Sequence, residues 1–328
     1  MSTDNEFLGD NGTLLVELDM RLTKEQWEAI YETPQNKRKA ITDARNYWTG
    51  GLVPFTVDIN AFSNEELLQI IAATKDYEKY TCIKFRNSYN GEKFHIRFVR
   101  GRGCSSSIGR VWRGQTIDLG KLCARKSIVI HEIGHALGLY HEHNRPDRDK
   151  YVQVLFQNVA PFAKSNFEKV RPNGVDYHGI PYDYSSIMHY GATAFTRNGK
   201  KTIQAKFKAK EHLMGRSTTL SFLDIKLLHR MYNCSKGCEK KDSDCPGIGF
   251  VNKDCQCVCP GEPIEICKSP EKPKKKKCED FHHSCSFWAA QAIVTNIARA
   301  GLQKKNVIRI QYGCYGIAEN PVICAVHR

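Results

Sequence analysis

Apolar residues along the chain follow two spacings. Between Ser63 and Tyr80 they recur at Leu67, Leu68, Ile71 and Ala72 behind a Ser-Asn-Glu-Glu opening, a capped amphipathic helix. Period-two alternation marks strands at Val53, Phe55 and Val57, at Ile83-Lys-Phe85, at Phe94-His-Ile96-Arg-Phe98 and at Thr116-Ile-Asp-Leu119. Gly101-Arg-Gly-Cys-Ser-Ser-Ser, with neither spacing, reads as a loop. A helix is expected from about Arg125 to Leu139, ending at a glycine, and another from Asp224 to Tyr232. Upstream, Leu22-Thr23-Lys24-Glu25-Gln26-Trp27 predicts a short helix with Thr23 at its cap and Gln26 closing a capping box.

Composition divides the chain. At 328 residues it exceeds one ordinary domain. Of its 14 cysteines, Cys82, Cys104, Cys123 and Cys234 lie far apart, and the other ten fall from Cys238 onward. Cys255, Cys257 and Cys259 alternate, without the paired two-residue gaps of a zinc ribbon, so disulfides and an oxidising, extracellular compartment are expected. Residues 1–30 show no basic stretch followed by an apolar run, hence no visible secretory leader, and no run reaches the ~20 apolar residues of a membrane span.

Charge adds little to this picture. The formal net charge of +14 raises nucleic-acid binding, but the basic residues are scattered and no recognition motif accompanies them. The Lys272–Lys277 run reads as a solvated linker, with contact to acidic matrix polysaccharides as the rival.

The chemistry concentrates in His131-Glu-Ile-Gly-His135-Ala-Leu-Gly138-Leu-Tyr-His141. On a helix, His131 and His135 share one face, and Glu132 lies beside it. Gly138 permits a left-handed break that returns His141 as a third ligand. Three imidazoles leave a zinc ion (Zn2+) one open position for water, as a catalytic site needs. Zinc lowers the water's pKa, and Glu132 is placed to take its proton during attack on a peptide carbonyl. This order of three histidines is the metzincin pattern, which also calls for a downstream methionine turn; Ser186-Ile-Met188-His-Tyr190 supplies one.

At His141-Glu-His-Asn-Arg-Pro-Asp-Arg-Asp and Tyr182-Asp-Tyr-Ser-Ser-Ile-Met-His-Tyr the sequence resembles the astacin family of zinc metalloendopeptidases. The similarity extends through Trp48-Thr-Gly-Gly, Gly101-Arg-Gly-Cys104 and Leu220-Ser-Phe-Leu-Asp224, covering about residues 40–234. The resemblance implies an α+β, metzincin-like catalytic domain, with a twisted sheet above the cleft and an irregular half below. It implies His131, His135 and His141 as zinc ligands, Glu132 as base, and Tyr190 as a further, displaceable ligand and oxyanion donor. It further implies the bridges Cys82–Cys234 and Cys104–Cys123, and a Glu142 that receives the new amino terminus after maturation.

Precursors of that family carry a pro-segment whose aspartate occupies the water position. Residues 1–39, ending in Lys37-Arg38-Lys39, resemble one. Two aspartates qualify: Asp10, in Phe7-Leu-Gly-Asp10, and Asp19, in Val16-Glu-Leu-Asp19. The surroundings of Asp19 fit better, although Leu18 replaces the usual glycine. Beyond the catalytic domain, residues 235–268 resemble a three-bridge EGF-like module, 269–277 a Pro/Lys linker, and 278–328 a small disulfide module with a ShK-toxin-like opening at Cys278. Both modules read as binding or spacing units. The expected function is a secreted zinc endopeptidase made as a zymogen. A non-catalytic adhesion protein on the same scaffold is the alternative, which loss of Glu132 or a ligand would have favoured; none is lost.

Overall fold

A computed structural model of the chain describes residues 8–9, 13–31, 46–111, 114–172 and 175–268. The Asp10 alternative, the Lys37–Lys39 cluster, the Lys272–Lys277 run and the 278–328 module lie outside the described residues.

The largest element is a mixed sheet of eight strands: β1 (Leu8–Gly9), β2 (Thr13–Val16), β3 (Met20–Leu22), β4 (Leu52–Val57), β5 (Lys84–Asn87), β6 (Ile96–Val99), β7 (Cys104–Ser107) and β8 (Gln115–Leu119). Their order across the sheet is β1-β2-β3-β7-β8-β6-β4-β5. β4, β5, β6 and β8 run parallel, and β7 is antiparallel to β8. β3 then joins β7 in parallel, Met20 opposite Ser106 and Arg21 opposite Ser107. The stretch 104–107 is therefore a strand, not the expected loop. Its run of serines carries no alternation, and its pairing comes from partners distant in sequence.

Four helices accompany the sheet among the described residues: α1 (Lys24–Tyr31), α2 (Asn64–Tyr80), α3 (Lys126–Ala136) and α4 (Phe222–Met231). Three of them start at side-chain caps, and α3 starts at Arg125 without one. Ser63 and Glu66 exchange hydrogen bonds at the head of α2, and Ser221 and Asp224 do so at α4. Thr23 and Gln26 close the predicted box on α1. The main core lies between the sheet and α2, α3 and α4, with Tyr77, Ile83, Ile96, Phe98, Ile117, Ile130 and Ile133 fully buried. Below α3 the chain is mostly short 3-10 turns around β9 (Val152–Val154) and β10 (Ile203–Ala205), packed on Phe167 and Tyr182.

Disulfides Cys82–Cys234 and Cys104–Cys123 close as the resemblance implied. The cysteine-rich segment closes three more, Cys238–Cys255, Cys245–Cys257 and Cys259–Cys267, around β11 (Phe250–Val251), β12 (Cys257–Pro260) and β13 (Ile264–Ile266). It is not a detached spacer. Phe250 and Val258 belong to the main core, Phe250 against Phe222 and His229, and Lys226 of α4 donates to the carbonyls of Ile248 and Gly249. A segment too small for its own core has borrowed one.

Candidate metal centre

Helix α3 is buried almost throughout, with Val129, Ile130, Ile133 and Ala136 in the core, which fixes the direction of its remaining face. That face carries His131 and His135. Gly138 takes φ +105°, a conformation natural to glycine, and turns the chain back so that His141 reaches the same point. The carbonyls freed at the helix end find donors: Trp48 Nε1 to Ala136 O at 2.8 Å and Tyr232 Oη to Leu137 O at 2.9 Å. Met188 packs beneath. A Cβ added at Gly134 would stand 2.9 Å from its Sδ, so glycine there admits the methionine.

The three imidazole rings meet with centroids 4.7–5.1 Å apart. Each Nδ1 has an acceptor: Ile187 O for His131 at 2.9 Å, Leu139 O for His135 at 2.8 Å, and Glu17 Oε2 for His141 at 2.5 Å. Those partners place the ring proton on Nδ1 and turn every Nε2 lone pair inward. His135 Nε2 is buried and has no hydrogen-bond partner, and the Nε2 atoms of His131 and His141 are 3.2 Å apart. Nitrogen lone pairs crowded together in this way call for a cation. The donor set fits Zn2+, with three neutral imidazoles and an oxygen.

The oxygen comes from Asp19. Its Oδ2 lies 3.2 Å from His141 Nε2 and 3.7 Å from His131 Nε2, and the four residues group as one potential metal site. Burial alone would raise the Asp19 carboxyl, but the positive charge favoured at the histidine cluster outweighs it and holds the group below the carboxylate range.

Glu132, 1% exposed, stands beside this cluster with Oε2 unpartnered. Burial, and then the charge of Asp19, push its carboxyl well above the usual range. Tyr190 stacks on His143 with centroids 3.8 Å apart and donates its hydroxyl to Glu17 O at 3.1 Å. The turn bearing Met188 and Tyr190 is pinned by Asp224, which accepts from Ser186 Oγ at 2.7 Å and Ile187 N at 2.9 Å. A cleft of about 490 Å³ opens here, lined by Leu18, Asp19, Glu132, Tyr190 and Phe195 among others.

The model of the Astacin peptidase family matches residues 40–233. The chain belongs to the astacin family. It is 35% identical over 257 residues to Protein SpAN of Strongylocentrotus purpuratus, covering 74% of this chain and 41% of that one. To zinc metalloproteinase nas-6 of Caenorhabditis elegans it is 37% identical over 195 residues, covering 60% of this chain and 56% of the relative. The chain thus spans about half the length of these curated relatives. Among solved structures it resembles high choriolytic enzyme 1, a hatching enzyme zinc-protease from Oryzias latipes. That match has a TM-score of 0.54 and 32% identity, covering 58% of this chain and 96% of the other.

Six of the residues expected from the sequence stand in one place: His131, His135, His141, Glu132, Tyr190 and Asp19. Glu142 lies deeper, accepting from Asp183 N at 2.7 Å and Arg145 Nη1 at 3.3 Å. Burial, offset by Arg145, pushes its carboxyl up to about 8. A small cavity beside it is also lined by Asp224 and Met188. Sequence reasoning missed Glu17 and Arg21. Glu17 is buried between His141 and Tyr31, whose hydroxyl donates to Oε1 at 3.0 Å. Its one signal was a position two residues before the candidate aspartate.

Proposed function

We propose that the chain is the latent precursor of a secreted zinc endopeptidase, with His131, His135 and His141 as metal ligands and Asp19 as the group that keeps it silent. One observation carries this reading: a carboxylate from the N-terminal segment sits where the three histidine Nε2 atoms converge.

When bound, zinc would polarise the scissile carbonyl and lower the pKa of the attacking water. Glu132 would accept the proton of that water and pass it to the leaving amine, a role suited to a carboxyl whose proton affinity burial has raised. Tyr190 would donate to the oxyanion. In the latent form its hydroxyl is held by the Glu17 carbonyl instead. Edge strand β7 would align a peptide in extended form, but β3 already holds it, through Ser106 N to Asp19 O at 2.8 Å and Ile108 N to Arg21 O at 3.2 Å. Aspartate, tyrosine partner and edge strand are all engaged by one segment, so its removal frees all three together.

Activation is assigned to cleavage near Lys37-Arg38-Lys39, with the new amino terminus reaching the buried Glu142 carboxyl. Five disulfides among the described residues support an oxidising, extracellular setting. The three-bridge closure of residues 238–267 supports the EGF-like reading of that segment. The substrates are proteins or peptides, and the Lys272–Lys277 run is assigned no partner beyond solvent. The test is to assay one quenched peptide before and after limited trypsin. The full chain should be silent at neutral pH and the trimmed form active, with that activity lost on chelation; equal activity of the two forms would remove the zymogen reading.

A further inference from the structure

The Arg21 carbonyl helps to cover the edge strand. Its side chain plays no part in the latency described above, yet it is an enclosed cation, the residue being 8% exposed. It sits opposite Ser107 in the β3–β7 ladder, so its side chain leaves the face opposite Met20, which packs with Ile108 and Tyr140. The guanidinium crosses β7 and enters a pocket of acceptors. Nη1 donates to Asp118 Oδ2 at 3.1 Å, and Nη2 donates to Ser105 O at 3.3 Å and, more closely, to Thr116 O. Ser105 and Asp118 face each other across the β7–β8 ladder, so the sheet fixes the two carbonyls and the backbone position from which the Asp118 carboxylate projects. Gly101 makes room for them: a Cβ there would lie 2.6 Å from the Asp118 Cβ.

We propose that this pocket is a substrate subsite of the activated enzyme, selecting an arginine side chain about two residues from the scissile bond. The inference rests on the protease reading, since only then does Arg21 leave. The spacing follows from Asp19, at the histidines, being two positions before Arg21 on a strand that already lies along β7. The acceptors are arranged for a planar fork of donors, which a lysine ammonium cannot fill in the same way. Once Arg21 departs, Asp118 and the two carbonyls meet water or a substrate's guanidinium, and the fixed pocket favours the latter. The site is also close to the chemistry. The charges of Arg21 and Asp118 both act on Glu132, in opposite senses. The pocket is acidic on a chain of net charge +14, so local charge reverses the preference for acidic substrates that the total would suggest.

Quenched peptides that carry arginine at each of the positions flanking the scissile bond, with lysine and alanine counterparts, test the pocket on the trypsin-activated protein. At one position arginine should raise kcat/KM over alanine by about 10-fold or more, with lysine between. In Asp118→Ala that ratio should fall to near one, and in Asp118→Arg glutamate should replace arginine as the preferred residue. A purely structural defect would slow all peptides alike and leave the ratio standing. No arginine preference at any position, or one that survives Asp118→Ala, would overturn the proposal. Should no peptide be cleaved, the protease reading fails separately, and the pocket is judged by adding back a labelled peptide of residues 13–31. Arg21→Ala in that peptide should weaken binding to the trimmed protein about 10-fold or more, and Arg21→Lys less. Equal binding of the three peptides would overturn it.

Discussion

Two segments meet at His141 and are held by opposite means. The histidine helix α3 and its return turn take support from main-chain carbonyls and the deep core: Ile187 O and Leu139 O hold two of the imidazoles. Residues 13–31 are held by a short backbone ladder on β7, by side-chain pairs that span the chain, Arg21 with Asp118 and Glu17 with His141, and by a small satellite cluster. In that cluster Met20, Leu22 and Ile30 pack on Ile108, Tyr140 and Val170. Three fully buried side chains contribute about 1.5–3 kcal/mol each at most, enough to dock a segment and not to make it part of the core. The histidine centre thus leans on backbone and deep core, while the N-terminal segment, on the proposed reading the part that is removed, adds to a short ladder side-chain pairs reaching far along the chain. His141 is the exception: on the proposed reading it is a ligand that outlasts the segment, yet its Nδ1 partner is Glu17 of that segment.

The largest effect belongs to the histidine centre. Glu132→Gln in the trimmed protein should retain its metal and lose about 10²–10⁴ in kcat, because only the proton acceptor is changed. Metal content by mass spectrometry and turnover of one peptide check both halves. A variant cleaving at the parent rate would take Glu132 out of the chemistry.

On the N-terminal segment, Asp19→Ala should give the uncut chain partial activity, on the order of 1–10% of the trimmed form, since β3 still covers the edge strand. Asp10→Ala should leave it silent. Activity released by Asp10→Ala alone would move the switch to that residue.

Glu17→Ala separates the two sides at their junction. It leaves a buried Nδ1 without an acceptor, and loss of such an outer partner costs about 10–100-fold in metal affinity. Zinc transfer from the full chain to a chromogenic chelator should quicken accordingly. An unchanged transfer rate would make the Glu17–His141 pair incidental to the metal.

The same contrast explains what could be read from sequence. The helix, its break at Gly138 and the histidine spacing are local, and the caps at Ser63 and Thr23 are written within a single turn, so all were legible; the last helix was expected only from Asp224, without the Ser221 cap that starts it. Strand β7 was not, because Cys104-Ser-Ser-Ser lacks alternation and takes its conformation from β8 on one side and β3 on the other. The strands of residues 13–22 were missed for the same reason. Glu17 and Leu18 hold positive φ, 57° and 70°, where the resemblance expects glycine at the second; such backbone is sustained by docking, not by local preference. Phe250 gave no sign that it would enter a core assembled far upstream in the chain. Asp19 could be ranked above Asp10 by its surroundings, but its neighbours at Glu17 and Arg21 find their partners only in three dimensions.

Thr23→Ala gives the smallest effect and isolates the docking of the inhibitory segment. Thr23 Oγ1 accepts from Gln26 N at 3.2 Å, while Gln26 Oε1 accepts from Thr23 N at 2.9 Å and its amide donates to Ile108 O at 2.9 Å. Losing the cap costs about 1 kcal/mol of α1 stability, a factor of about 5 in the population of undocked segment. The residual activity of the uncut chain should therefore rise about 5-fold, still far below that of the trimmed form, from which residue 23 is absent. The same factor should appear in the rate of activation by dilute trypsin if cleavage proceeds from the undocked state. A rise in residual activity as large as that from Asp19→Ala would mean that α1, rather than the carboxylate at the histidines, holds the enzyme silent.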